Sequence, residues 1–167
     1  MPTNNSDYYL GNPNLKKVGT DINFTKEQIA EYLKCKEDPV YFAMNYIKII
    51  SLDEGIVPFK MWDFQQELIE SFHEHRFNIA KLPRQTGKST TCVSYLLHYV
   101  LFNDNVNVGI LANKLSTARD LLGRLQLAYE QLPMWMQQGI ITYNKGSMEL
   151  ENGSKILAAS TSASAVR

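Results

Sequence analysis

One stretch, Leu82-Pro83-Arg84-Gln85-Thr86-Gly87-Lys88-Ser89-Thr90, constrains this chain more than any other. Residues 78–82, Asn-Ile-Ala-Lys-Leu, read as a short strand. Residues 89–102 read as a helix, with Val93, Leu96, Leu97 and Val100 at helical spacing. Between them lies Gly87-Lys88-Ser89. The full phosphate-loop pattern is Gly, four residues, then Gly-Lys-Ser/Thr. Leu82 occupies the place of the first glycine, so only the second half is met. The strand–loop–helix context nevertheless puts residues 87–90 at a helix N-terminus, where unpaired N–H groups and the positive dipole end favour a phosphate. Lys88 would reach the β and γ phosphates of ATP, and the Ser89 hydroxyl would ligate Mg²⁺. Pro83, Arg84, Gln85, Thr86, Gly87 and Thr90 complete the expected binding loop. The plainer reading of the same residues is a strand-to-helix turn with a solvated lysine.

A second signal precedes the loop. Trp62-Asp63-Phe64-Gln65 opens an expected helix over 64–72, with Leu68, Ile69 and Phe72 turned inward. A glutamine amide can donate to and accept from an adenine edge at once, and an aromatic can cover the ring face. Without the loop, Gln65 would read as a surface helix residue and the aromatics as core.

The rest of the chain supplies the frame. Residues 1–24, rich in Asn, Gly, Pro and Tyr at the start, read as a flexible N-terminal arm. Residues 25–58 read as a helical subregion. Thr25 and Gln28 fit a capping box, and Asp38-Pro39 opens a second helix whose buried face is Tyr41, Phe42, Tyr46, Ile49 and Ile50. Gly55 to Pro58 is expected to break it. Beyond the loop, 106–112 reads as a buried parallel strand, followed by a helix capped by Ser116 and stopping near Pro133. Residues 140–143 read as a strand, and 148–159 as a hairpin around Asn152-Gly153. The alternation predicts an α/β fold with a parallel sheet.

Composition excludes several classes. Lys plus Arg (17) equals Asp plus Glu (17), which argues against a polybasic nucleic-acid or membrane binder but leaves room for a local basic patch. Lys114 and Lys145 are candidates for such a patch, with solvated loop lysines as the favoured reading. Cys35 and Cys92 are far apart and support neither a disulfide scaffold nor a zinc site. No apolar run reaches membrane-spanning length and the N-terminus lacks signal-peptide character, so the expectation is a soluble intracellular protein with no membrane partner.

Together, Arg84-Gln85-Thr86-Gly87-Lys88-Ser89 and Trp62-Asp63-Phe64-Gln65 resemble the large terminase subunit of tailed bacteriophages. Gly109-Ile110-Leu111-Ala112-Asn113-Lys114 and the run from Asn144 to Ser154 strengthen the likeness, which extends from about residue 25 onward. A loop carrying Arg-Gln and lacking the first glycine is a hallmark of that family. The resemblance implies a RecA-like (ASCE-type) P-loop NTPase core, here an incomplete parallel sheet flanked by helices and spanning residues 59–167. It implies a motor that drives double-stranded viral DNA into a procapsid, docked on the portal protein and assisted by the small terminase subunit, in the cytoplasm of an infected bacterium. Carried over, Lys88 and Ser89 bind phosphate and Mg²⁺, Gln65 recognises adenine, Arg84 senses the γ phosphate, and Arg167 stands where the family carries a candidate arginine finger.

Hydrolysis also needs acidic residues to hold the metal shell and orient water. In the family these follow an apolar strand located after the equivalent of Arg167. The expectation is therefore a chain that binds ATP, hydrolyses it poorly alone, and has no nuclease activity. Two explanations stay open: a gene product completed by a second polypeptide carrying the C-terminal half or by splicing, or a partial reading of a longer protein. The alternatives are the first lobe of a superfamily-2 helicase and a nucleotide-binding assembly fragment without turnover; a small-molecule kinase fits less well.

Overall fold

The computed structural model describes residues 7–51 and 53–161. Helix α1 (Lys26–Glu37) starts at the expected capping box: Gln28 N donates to Thr25 Oγ1 at 3.2 Å, and Thr25 N donates to Gln28 Oε1 at 3.0 Å. Helix α2 (Pro39–Tyr46) is capped by Asp38, whose carboxylate accepts from Tyr41 N at 2.8 Å, with Pro39 in the first turn. Here the expectation fails beyond Tyr46. Ile49 and Ile50 lie in a strand, β1 (Lys48–Ser51), which pairs antiparallel with β2 (Gly55–Pro58). The β-branched residues flanking Asp53-Glu54-Gly55 favour a hairpin over a longer helix. The 25–58 region is thus helical only in its first part.

Helix α3 (Asp63–Glu74) leads through an extended segment into α4 (Lys88–Phe102). The expected strand over 78–82 does not form: these residues carry no strand pairing, and Ile79 is wholly exposed. Apolar, β-prone residues adopt strand structure only where a neighbouring strand takes up their N–H and C=O groups. After α4 come β3 (Asn107–Ala112), α5 (Leu115–Glu130), β4 (Ile140–Tyr143), β5 (Ser147–Leu150) and β6 (Lys155–Ser160). Lys114, not Ser116, is the N-cap of α5.

The four later strands form one sheet in the order β3-β6-β5-β4. Only β3 and β6 run parallel, in register from Asn107↔Lys155 to Ala112↔Ser160; β5 pairs antiparallel with both β6 and β4. The fold is α/β with a mixed sheet flanked by helices, not the expected parallel one. Its covered face puts Ile110 of β3 and Ile156 of β6 under α5, which also packs on α4; Met148 and Leu150 of β5 join the same core, with Ala118, Leu122, Leu125 and Tyr129 of α5 and Val93, Leu97 and Leu101 of α4. Fully burying each such side chain contributes roughly 1.5–3 kcal/mol. By the two-residue period of a strand, Leu111 and Leu157 fall on the opposite face, where both are more than half exposed.

The start of the described chain is docked onto this body. Leu15 is buried, Ile140 N donates to the Lys16 carbonyl at 2.9 Å, and Lys17 bridges Ile140 in parallel fashion, covering the β4 edge. Glu151, in the turn before β6, accepts from Gly139 N at 2.6 Å, Gly19 N at 3.2 Å and Lys16 Nζ at 3.2 Å. Among the described residues no helix is long and apolar enough to cross a membrane.

Candidate functional site

Two helix N-termini meet at the loop. At the first, Gln65 is 4% exposed and its side-chain amide is tied at both ends. Its Oε1 accepts from Trp62 N at 3.0 Å, closing the first turn of α3, and its Nε2 donates to the Thr86 carbonyl at 3.0 Å. At the other end of the helix pair, Tyr95 of α4 donates through its hydroxyl to the Phe72 carbonyl at 2.9 Å. Ser71 and Asn78 add a 2.7 Å bond that pins the incoming segment to α3. The loop therefore hangs between helices locked together on both sides.

Within the loop the backbone takes two left-handed steps, Gln85 at φ 63° and Gly87 at φ 74°. A glycine is required at 87 on two counts. Its φ disfavours any Cβ, and a Cβ built there would lie 2.5 Å from Gln65 Nε2. Gly87 is the N-cap of α4, and its carbonyl accepts the first helical bond from Thr91 N at 3.0 Å. The N–H groups of Lys88, Ser89 and Thr90 thus have no intrahelical acceptor, and they point out of the helix with its positive dipole end.

Lys88, at the first helical position, folds back: its Nζ donates to the Leu82 carbonyl at 3.1 Å and also to the Pro83 carbonyl. Thr86 Oγ1 donates to the same Pro83 carbonyl at 3.0 Å. Arg84, Gln85 and Ser89 are exposed, while Thr86, Gly87, Lys88 and Thr90 are half-buried. The structure brings together every expected residue from Gln65 and Pro83 through Thr90; Arg167 lies outside the described residues. Lys114 and Lys145 are both exposed, Lys145 beside a shallow cleft along α5 that Arg119 also lines.

A cleft of about 440 Å³ opens beside the loop, with Ile49, Phe59, Trp62 and Phe64 as its apolar wall, and Gln65, Gln85, Thr86, Gly87 and Thr90 on the loop side. A second cleft, of about 390 Å³, begins at the same Ile49 and Thr90 and runs between β1 and α5 past Lys48, Ser94 and Arg124. Sequence reasoning missed Ile49 and Phe59 as wall residues, because it placed Ile49 on the helix before the hairpin. The Asp53-Glu54-Gly55 turn between β-branched runs was the available signal.

These features fit a nucleotide with its Mg²⁺. Gly87 leaves room for the Gln65 amide, which a side chain there would displace. Three free N–H groups and an ammonium supply donors for phosphate, and the exposed Ser89 hydroxyl supplies one hard oxygen for a divalent cation. Among the described residues, no group of three or more His, Cys, Asp and Glu is placed to hold a metal, and no carboxylate lines the cleft at the loop.

The thiols of Cys35 and Cys92 are free; burial pushes Cys35 up to about 12 and also raises Cys92. Burial lowers His98 of α4 to about 4, against a hydrogen bond between its Nε2 and the Cys35 carbonyl at 2.9 Å. No known protein-family model matches the sequence.

Proposed function

We propose that this chain is the ATP-binding portion of a viral DNA-packaging motor of the large-terminase kind, built on a RecA-like P-loop core. The observation that carries the nucleotide part is the α4 N-terminus, where a left-handed Gly87 presents the N–H groups of residues 88–90 and Lys88 beside an aromatic-walled cleft. The motor part rests on the sequence resemblance.

ATP, when bound with Mg²⁺, supplies the phosphoryl group whose transfer drives such motors. Lys88, now bonded to the Leu82 and Pro83 carbonyls, would hold the β and γ phosphates. Ser89 offers its hydroxyl to the cation. Arg84, exposed on the loop, is free to swing towards a γ phosphate, where its planar fork matches phosphate oxygens. Phe59, Trp62 and Phe64 offer an apolar wall to the base. Among the described residues no carboxylate lines the cleft at the loop, and Asp120 lines the second cleft that shares Ile49 and Thr90 with it. The partners are double-stranded viral DNA, the portal protein and the small terminase subunit, and the location is the cytoplasm of an infected bacterium.

Equilibrium titration with Mg·ATP tests the nucleotide part: saturable binding lost in Lys88→Ala supports it, and absence of binding by the wild-type chain overturns it. Cross-linking to isolated procapsids tests the motor part. Capture of the portal protein is expected, and labelling spread evenly over the shell contradicts it.

A further inference from the structure

Resting on the motor reading, we infer that a groove along α5, built from none of the phosphate-loop residues, holds the backbone of double-stranded DNA. The groove has a volume of about 400 Å³, and one stripe of the helix forms its floor: Ser116, Arg119, Gly123 and Gln126. Lys145, in the turn between β4 and β5, lines the other side. That turn is fixed in place. Gln126 Nε2 donates to the Asn144 carbonyl at 2.9 Å, and Asn144 Oδ1 accepts from Gly146 N at 2.8 Å and Ser147 N at 3.0 Å. Lys145 is therefore held beside the helix by the fold itself.

Two observations point to a polyanion. The first is charge. From β3 to β6 every carboxylate is already engaged. Asp120, which also lines the groove, is paired with Arg124 at 3.3 Å, and Glu149 with Lys155 at 2.8 Å. Glu130 accepts from the Tyr143 hydroxyl at 2.6 Å, and Glu151 from Lys16 and two backbone N–H groups. Lys114, Arg119 and Lys145 are exposed and have no ion-pair partner among the described residues. A chain of zero net charge thus leaves three cations uncompensated along one helix.

The second is Gly123. In a helix interior a glycine is less stable than an alanine. Nothing in the fold requires it here: a Cβ at 123 would meet no atom within 4 Å, and the position lies within regular helix. The bare position faces the groove and lets an outside group approach the α5 backbone.

A phosphodiester backbone matches such a surface. Ser116 to Gln126 covers about 15 Å of helix, the rise of about four phosphates along one strand of a duplex. Arg119, Lys145 and Lys114, the last at the N-cap of α5, would contact phosphates without reading sequence. No aromatic side chain lines the groove, so it offers no stacking platform to a single strand.

The test is fluorescence anisotropy of a labelled duplex with the full chain over a range of salt. The same sequence as a single strand and poly-glutamate serve as competitors. Saturable duplex binding is expected, with log Kd linear in log[salt]. Arg119→Gln and Lys145→Gln should each weaken it about three- to tenfold and lower the salt slope by about one, whereas Lys36→Gln on α1 changes neither. Gly123→Gln should melt at or above the wild-type temperature yet bind the duplex about tenfold more weakly, a separation that a purely structural glycine would not give. No duplex binding by the wild type, wild-type affinity in Arg119→Gln and Lys145→Gln, tighter binding of the single strand, or equal displacement by poly-glutamate overturns the inference. Portal capture decides the motor reading separately, so a chain that docks on the portal yet fails these tests overturns the inference alone.

Discussion

The ammonium of Lys88 donates to the Leu82 carbonyl oxygen at 3.1 Å, so without a ligand the lysine closes the loop onto itself. The partners lie six positions apart, and the bond spans the whole loop. A phosphate must compete with this contact and with the one to Pro83. Because Lys88 is half-buried at the start of a helix, its removal should affect binding far more than folding. Lys88→Ala is expected to lower Mg·ATP affinity at least thirtyfold, a loss of about 2 kcal/mol or more, with thermal unfolding shifted by only a few degrees. Lys88→Arg should not rescue binding, because a planar fork does not replace a point charge in so tight a turn.

Gly87 carries a heavier structural duty. Gly87→Ala must adopt a left-handed backbone and also displace the Gln65 amide. The expected cost is about 1–3 kcal/mol of folding stability, together with loss of phosphate binding. Chemical denaturation and ATP titration of the same variant measure the two effects; wild-type values in both would contradict the geometry.

Gln85 is the opposite case. It holds φ 63° without being glycine, and its side chain is exposed. Relieving that strain with Gln85→Gly should raise stability by up to about 1 kcal/mol, seen as a higher melting temperature. A lower melting temperature would mean that the side chain contributes contacts outweighing the strain.

His98 links stability to pH. It is buried among Phe42, Phe102 and Tyr95, and burial depresses its folded value to about 4. The unfolded chain protonates near 6.5, so between about 6.5 and 4 the unfolded state binds more protons. The stability contributed by keeping His98 neutral is complete above that window and is lost as pH falls through it, to the extent of about 2–4 kcal/mol. Denaturation curves at pH 7.5 and pH 4.5 should show this loss, and His98→Phe should flatten the dependence.

Glu151 joins the first described residues to the sheet. Burial alone would raise its carboxyl, but hydrogen bonds from Gly139 and Gly19 and the Lys16 ammonium outweigh it and hold the carboxyl below its ordinary value. Glu151→Ala should cost about 1–3 kcal/mol and speed amide exchange around residues 15–20, leaving the α4 N-terminus protected as before. Unchanged exchange there would show that docking depends on Leu15 and the backbone bonding of residues 16–17 to Ile140 rather than on Glu151.

Local signals were legible where a few neighbouring residues decide the outcome. Thr25 with Gln28, Asp38 with Pro39, the α4 stripe and the Asn152-Gly153 turn all formed as read. What could not be read was set by distant partners. Asn152 Nδ2 donates to the Val100 carbonyl at 2.8 Å, so the turn also closes the C-terminal end of α4, a role invisible in a turn signature. Residues 78–82 have strand-like composition but no strand beside them, and β5 is antiparallel because its hairpin with β6 returns the chain locally. At the site, residue types and spacing located the loop. The Gln65 bond to Thr86 depends on how α3 sits against α4, which no single segment encodes.

The most direct measurement of the central claim is amide hydrogen exchange across residues 82–91 with and without Mg·ATP. Nucleotide binding at the α4 N-terminus predicts slowed exchange at Gly87, Lys88, Ser89 and Thr90 in the wild-type chain, abolished in Lys88→Ala. Exchange at these amides unaltered by saturating Mg·ATP would contradict the account.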